Sequence, residues 1–306
     1  MPRVAVVIPT RNRPAFLEEA VASVLGQDYR DLEVLVVDDG SEDPGANIRV
    51  VERCDGPVRY VRRERRGGPS AARNTGIAAS DSEFVAFLDD DDVWLPSKLG
   101  RQVRVFDGGP PGQDRLGVVY CGHLWIEATS GRVQVRRMPH IRTTEDLFRA
   151  RYNIIQTVLV RRSCIEEVGG FDENMAFQEN LEFLVRVSQR WHFGRVDEEL
   201  VWCRTHSGPR TGDDLGAIID GYRRLLTTAR AAGMAPSVLH GDYYRLGRAL
   251  MAAGSMAAAR EYLAEAVRGA PYTAKGRYAA FLGLSYVVRA FTPSLREAFV
   301  RSSRRR

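Results

Sequence analysis

The sequence predicts an α/β protein built on a doubly wound mixed sheet, followed by an all-helical appendage. Three observations carry that expectation. Short apolar runs, Val4 to Ile8, Leu32 to Val37 and Phe84 to Leu88, alternate with helical periodicity over the first part of the chain, as expected of strands buried on both faces. Each run stops in polar residues: Pro9-Thr10-Arg11-Asn12-Arg13-Pro14, Asp38-Asp39-Gly40-Ser41 and Asp89-Asp90-Asp91-Asp92. From Asp213 onward no strand signal survives.

Taken in order, Val4 to Ile8 is the first strand, and the helix after it gathers Phe16, Leu17, Ala20, Val24 and Leu25 on one face. Leu32 to Val37 is the second strand and Val58 to Val61 a weaker third. A loop, RRERRGGPSAARNTG, turns helical in its second half, with Pro69 and Ser70 ahead of Ala71, Ala72 and Asn74. Phe84 to Leu88 is the fourth strand. Residues 107–115, DGGPPGQDR, form a loop by composition. Val118 to Ile126 and Val133 to Arg137 read as strands, Thr144 to Ala150 as a short helix, and Val158 to Arg161 as a strand. The next helix is expected to be capped by Ser163, with Glu166 three residues on. Gly169-Gly170 breaks the chain, Glu179 to Trp191 is helical, and Val196 to Cys203 is a strand running into Arg204-Thr205-His206. Leu215 to Ala231, Tyr243 to Ala253, Met256 to Gly269 and Thr273 to Ala290 are the last helices. Leu246-Gly247, Ala249-Leu250, Gly254, Ala258, Leu263, Ala266 and Pro271 look like one tetratricopeptide-type helix pair. A solenoid needs about three such repeats, so the pair is read as an appendage. The expected division is 1–106, 107–212 and 213–306.

A chain of 306 residues buries a sizeable core, and its composition is that of a globular protein. The net charge of +5 chooses among no anionic partners by itself. The basic residues are scattered and no nucleic-acid-binding motif is present. Cys54, Cys121, Cys164 and Cys203 are too far apart for a metal site or a disulfide framework, which points to reduced thiols in the cytoplasm. VAVVIP is too short for a signal peptide, and no apolar run reaches the length of a membrane span. The tail Arg301 to Arg306 and the apolar last helices allow peripheral contact with the inner face of a membrane, or a homodimer. An ordinary solvated terminus is the simpler account of that tail.

The stretch FVAFLDDDDVW is the chemical centre of the sequence. In an open α/β sheet, ligands bind beyond the carboxyl ends of the strands. If the segment stays extended, Asp89 and Asp91 face one side and Asp90 and Asp92 the other. Converging carboxylates suit a hard divalent cation, Mg²⁺ or Mn²⁺. The bland account is an acidic turn with a helix cap before Trp94-Leu95-Pro96. No G-x-G-x-x-G follows the first strand and no G-x-x-x-x-G-K-[ST] occurs anywhere, so a dinucleotide fold and a P-loop are unsupported. A nucleotide should instead lie along the edge lined by Thr10 to Arg13, Asp38-Asp39 and the aspartate run.

VAVVIPTRNRP, LEVLVVDDGS, ARNTG, FVAFLDDDDVW, GGFDENMAFQENLEFLVR and CRTHSG stand in an order that resembles family 2 glycosyltransferases of the GT-A fold, over roughly residues 4 to 210. The helical tail lies outside that resemblance. The resemblance implies a nucleoside-diphosphate-sugar donor, with residues 1–106 as the nucleotide-binding half and 107–212 as the acceptor half. By similarity, Pro9, Thr10, Arg11 and Arg13 would line the nucleoside pocket. Asp39 would bond the base, and Arg73 would reach the base or the diphosphate. A carboxylate accepts the imide N–H of uracil or thymine, so UDP or dTDP is favoured. Many relatives carry an aromatic residue where this chain has Arg11, which leaves the base open. Asp89 and Asp91 would be the ends of the D-x-D motif. Asp91 would bind the metal, and Asp89 would contact the ribose or the metal's water shell. Asp90 would lie between them in the donor site, with Asp92 behind it or capping a helix. His206 would touch the diphosphate or the metal beside an anion-facing Arg204. Relatives carry an acidic pair where this chain has Glu179-Asn180. There a carboxylate takes the proton of the acceptor hydroxyl in an inverting reaction. Asn180 cannot be a base, so the role falls to Glu179 or Glu182, with Glu179 favoured. The acceptor, whether glycan, lipid-linked or small molecule, is not named by the sequence. Asn180 and the helical appendage motivate a second reading, a silent nucleotide-sugar-binding or scaffold protein. A nucleotidyltransferase ranks last, because PTRNRP stands where its Gly-rich loop should be.

Overall fold

The structure is a computed structural model, and it describes residues 2–108, 115–127, 133–152, 154–205 and 214–287. The chain forms two compact units. The first comprises Met1–Thr143, Asn153–Glu173 and Val187–Ser207, and the second Thr144–Tyr152, Asn174–Arg186 and Gly208–Arg306.

The first unit carries a single sheet of β1 (Val4–Thr10), β2 (Leu32–Asp38), β3 (Val58–Arg62), β4 (Phe84–Phe87), β5 (Val93–Trp94), β6 (Leu116–Glu127), β7 (Val133–Arg136), β8 (Val158–Arg161) and β9 (His192–Thr205). Its order is β3-β2-β1-β4-β8-β6-β9-β5, with β7 paired to β6. The first four strands of that order are parallel, and β8 turns the sheet mixed by pairing antiparallel with both β4 and β6. The register sets Val4 beside Leu32 and Phe84, and Thr10 beside Asp38. The polar residues that end β1, β2 and β4 therefore reach the same carboxyl edge.

Around the sheet lie α1 (Pro14–Leu25), α2 (Pro44–Glu52), α3 (Gly68–Ala78), α4 (Lys98–Asp107) and α6 (Arg162–Val168). Val4, Val6 and Ile8 join Leu17, Ala20, Val21 and Val24 of α1 and Leu99 and Val103 of α4 in one apolar cluster. Val7 lies on the opposite face, where a Cβ added to Gly76 of α3 would meet it at 2.3 Å. With both faces covered, β1 has no solvated side, and its sequence is apolar without alternation.

Several boundaries differ from the sequence reading. Helices α2 and α4 are additional to it. Ser163 does not cap α6, which starts at Arg162 with no side-chain cap. Arg162 fixes that start itself, its backbone N–H donating to the Glu83 carbonyl and its Nε to the Ser82 carbonyl.

The second unit is helical. It comprises α5 (Thr144–Ala150), α7 (Glu179–Ser188) as far as Arg186, α8 (Leu215–Ala231), α9 (Pro236–Ala252), α10 (Met256–Gly269) and α11 (Tyr272–Val287). Helix α9 begins at Pro236, ahead of the expected Tyr243, because proline at the first turn needs no hydrogen-bonded N–H. Asp214 caps α8 by accepting from the backbone N–H groups of Gly216 and Ala217. Gly247 lets α9 lie against Leu263 of α10, where a Cβ would be 2.7 Å from the Leu263 side chain. Tyr244 and Tyr278 stack at 4.2 Å between α9 and α11. Arg301 to Arg306 lie outside the described residues. Among the described residues no helix is long and apolar enough to cross a membrane.

Candidate donor and metal site

The aspartate run does not stay extended. The Asp92 N–H donates to the Asp89 carbonyl at 3.1 Å, closing a turn between β4 and β5. That turn overturns the expected alternation of faces. Carboxylate oxygens of Asp89, Asp91 and Asp92 all lie within 4.8 Å of one another. Asp90 points instead to the end of β1. It accepts from Thr10 Oγ1 at 2.8 Å and from Arg13 Nη1 at 3.3 Å, and the same Nη1 reaches Asp91 Oδ2 at 3.0 Å.

Each acid of the turn has a partner from a different element. Arg73 of α3 is only 2% exposed, donates to Asp89 Oδ1 at 2.8 Å, and lies over the Phe171 ring. The backbone N–H of Arg204 donates to Asp92 Oδ1 at 2.9 Å, and its Nε to the Asp91 carbonyl at 2.6 Å. An ion pair with Glu19 and the neighbouring Phe16 ring hold the Arg204 guanidinium. Arg204 thus clamps the turn as well as carrying charge to it. Gln156 donates to both Asp89 and Asp92.

Negative charge exceeds positive charge here. Burial, then the neighbouring Asp91, push the Asp90 carboxyl up to about 7 against the pull of Arg13 and Thr10. Burial, then Asp91 and Asp89, push Asp92 well above the usual carboxylate range. Three converging carboxylates, which offer oxygen donors alone, fit Mg²⁺ or Mn²⁺. Asp89, Asp91 and Asp92 are the residues that would hold such an ion.

Further along the same edge stand Asp38, the last residue of β2, and Asp39. Asp38 is buried and structural. Its oxygens accept from the Ser41 N–H at 2.7 Å, Asn47 Nδ2 at 2.9 Å and the Tyr60 hydroxyl at 2.7 Å. Burial opposes its ionisation, but these donors prevail and hold its pKa below the ordinary value. Asp39 accepts from Arg63 Nε at 3.0 Å and from the N–H groups of Gly67 and Gly68 at 2.8 and 2.7 Å. A carboxylate offers about four acceptor positions. Asp39 therefore organises the loop ahead of α3, with three donors on about four acceptor positions. Pro9 is half-buried in β1, and Arg11 lies 3.6 Å from Glu42.

Two further asparagines hold loops of this site. Asn12 sits at φ 56°, donates its N–H to Ser41 Oγ at 2.9 Å, and accepts from the Glu42 N–H at 2.9 Å. It ties the β1 loop to the β2 loop. Asn74 grips Phe171 by both its N–H and its carbonyl, each at 2.9 Å, and so joins the ARNTG and GGFDE stretches. Nothing in the sequence marks Gln156, which lies in the apolar context IIQTV far from the aspartates.

Glu179 and Asn180 open α7 in the second unit, directly after Gln178, whose φ is 65°. Glu182 is engaged in that unit. Arg186 Nε and Nη2 hold it at 2.9 Å and Thr228 Oγ1 at 3.0 Å. His206 lies outside the described residues.

The family model described as "Glycosyl transferase family 2" matches residues 5–169 of the chain. The GalNAc(5)-diNAcBac-PP-undecaprenol beta-1,3-glucosyltransferase of Campylobacter jejuni is 38% identical over 111 residues, 36% of this chain and 36% of its own length. The matched stretch thus spans about a third of that relative. Among solved structures, S. aureus TarS 1-349 in complex with UDP-GlcNAc is similar with a TM-score of 0.69 at 17% identity, covering 93% of this chain and 89% of its own. Mannosyltransferase PcManGT from Pyrobaculum calidifontis, in complex with GDP-Man and Mn2+, has a TM-score of 0.56 at 20% identity, over 98% of this chain and 85% of its own. These likenesses show a GT-A-like fold.

Proposed function

Because the chain belongs to glycosyl transferase family 2, we propose that it moves a sugar from a nucleoside-diphosphate sugar, UDP or dTDP, onto an acceptor nucleophile with inversion. The observation that carries this reading is the convergence of Asp89, Asp91 and Asp92 at the carboxyl edge of the sheet, beside Arg13 and Arg73. Donor binding belongs to residues 1–106 and acceptor binding to 107–212, with the helices of 213–306 as an appendage.

In this reading the base and ribose lie along Thr10 to Arg13 and Asp39, and the diphosphate points to the aspartate turn. Asp89, Asp91 and Asp92 would hold a Mg²⁺ or Mn²⁺ ion, which would supply positive charge to the leaving diphosphate. Arg73 and Arg13 keep the carboxylates aimed and add charge of their own. A carboxylate oxygen of Glu179 takes the acceptor's hydroxyl proton as the acceptor oxygen attacks the anomeric carbon, whose bond to the nucleoside diphosphate breaks. Glu182, whose oxygens accept from Arg186 and Thr228, is the other candidate for that role. Asn180, where a second acid would stand, favours one alternative: a protein that binds the donor without turning it over.

The test is calorimetric titration of UDP and dTDP with Mn²⁺ and then with EDTA, for the wild type and Asp91→Ala. Metal-dependent binding that disappears in Asp91→Ala is the expected result. Failure of both nucleotides to bind refutes the reading. Binding without transfer to any acceptor selects the silent alternative.

A further inference from the structure

Gln156 touches two of the three acids that would hold the cation, and it carries no charge. Its side-chain amide donates to Asp92 Oδ2 at 2.8 Å and also to Asp89 Oδ2. It is buried and sits in a short 3-10 turn, Ile155–Thr157, just before β8. That turn is anchored on both sides. Trp94 Nε1 donates to the Gln156 carbonyl at 3.0 Å, and Gln102 Nε2 donates to the Thr157 carbonyl at 2.8 Å. Trp94 itself follows the aspartate turn by two residues. The loop and Gln156 therefore grip each other, by backbone in one direction and by side chain in the other.

The two amide hydrogens of a glutamine diverge from one nitrogen, so they fix the separation of the two acceptors they serve. A lysine or arginine at this place would do the same while cancelling charge. The neutral amide holds Asp89 and Asp92 together and adds no positive charge to the one that Arg73 already brings to Asp89. We infer that Gln156 is a positioning residue for the divalent cation: it sets the spacing of Asp89 and Asp92 without adding a charge of its own. This rests on the donor-site reading above. Partners of this kind, one bond removed from the ion, are worth about 10- to 100-fold in metal affinity.

The experiment compares Mn²⁺ affinity, from the paramagnetic signal of free Mn²⁺, for the wild type, Gln156→Met and Gln156→Lys. UDP is present and absent, and thermal melting is followed in parallel. Gln156→Met keeps the length and loses both donors, and is expected to bind Mn²⁺ about 10- to 100-fold more weakly. Gln156→Lys is expected to bind more weakly still, because its ammonium neutralises the pair. If Gln156→Met fails to fold, Gln156→Asn, whose shorter amide cannot span both acids, takes its place with the same expectation. A folded variant with wild-type Mn²⁺ affinity and only a lower melting temperature overturns the inference and makes Gln156 structural. A wild type that binds no Mn²⁺ overturns the donor-site reading too, so the two failures are distinguishable.

Discussion

Lys98 packs against Trp94, two residues past the aspartate turn, and its burial has a measurable consequence. Its ammonium lies fully buried, donates to Gln102 Oε1 at 2.9 Å and sits 3.8 Å from the centre of the Trp94 ring. Burial lowers its pKa from 10.5 to about 8. At about 1.36 kcal/mol for each pKa unit, the charged form is penalised by about 3 kcal/mol in the folded state. The Trp94 ring face returns up to about 2 kcal/mol of that to the cation. A net penalty of about 1 to 3 kcal/mol therefore stands below pH 8. Between about pH 8 and 10.5 the unfolded chain binds the proton that the folded chain has released, so stability rises with pH across that window. Urea unfolding of the wild type and Lys98→Met at pH 7, 8, 9 and 10 isolates the effect, since other titrations cancel in the difference. Cys121, next to Lys98, has its thiol pushed up to about 11 by burial and stays neutral through most of the range. The wild type should gain about 1 to 3 kcal/mol on the methionine variant between pH 7 and 10. A flat difference, or a loss by the wild type as pH rises, would refute the reasoning. It would mean that Trp94 and Gln102 solvate the ammonium as well as water does.

Three further outcomes are expected. Asn12→Ala combines about 1 to 2 kcal/mol of left-handed strain with the two lost Glu42 bonds, whereas Asn12→Gly loses only the bonds; equal destabilisation and equal UDP affinity in the two variants would contradict this. Gly170→Ala puts a Cβ 2.4 Å from Asn74 Oδ1 and should lower stability by about 1 to 3 kcal/mol. Most of that penalty should vanish in an Asn74→Ala background, and strict additivity would exclude the contact as its cause. Glu179→Gln should reduce kcat by about 10² to 10⁴ with donor affinity intact. Glu182→Gln should instead keep kcat within a few-fold and lose about 1 to 2 kcal/mol of stability, discounted because Arg186 is partly exposed; the reverse pattern would exchange their roles.

The sequence by itself determined the strands other than β5, the mixed α/β class and the helical C-terminal region. Continuous β-branched runs have one way to bury both faces, and that constraint is local enough to read. It also placed the acids at strand ends, because a polar run after a buried strand has nowhere to go but the sheet edge. Only the tertiary structure decided how those acids are used. The Asp89–Asp92 turn set Asp92 beside Asp89 and Asp91 and sent Asp90 to Thr10 and Arg13, which two-residue alternation could not foresee. The occupied oxygens of Glu182 and the two-acid grip of Gln156 likewise come from partners dozens of residues away. A side-chain amide carries no sequence pattern. Its role exists only where folding brings two carboxylates to one nitrogen.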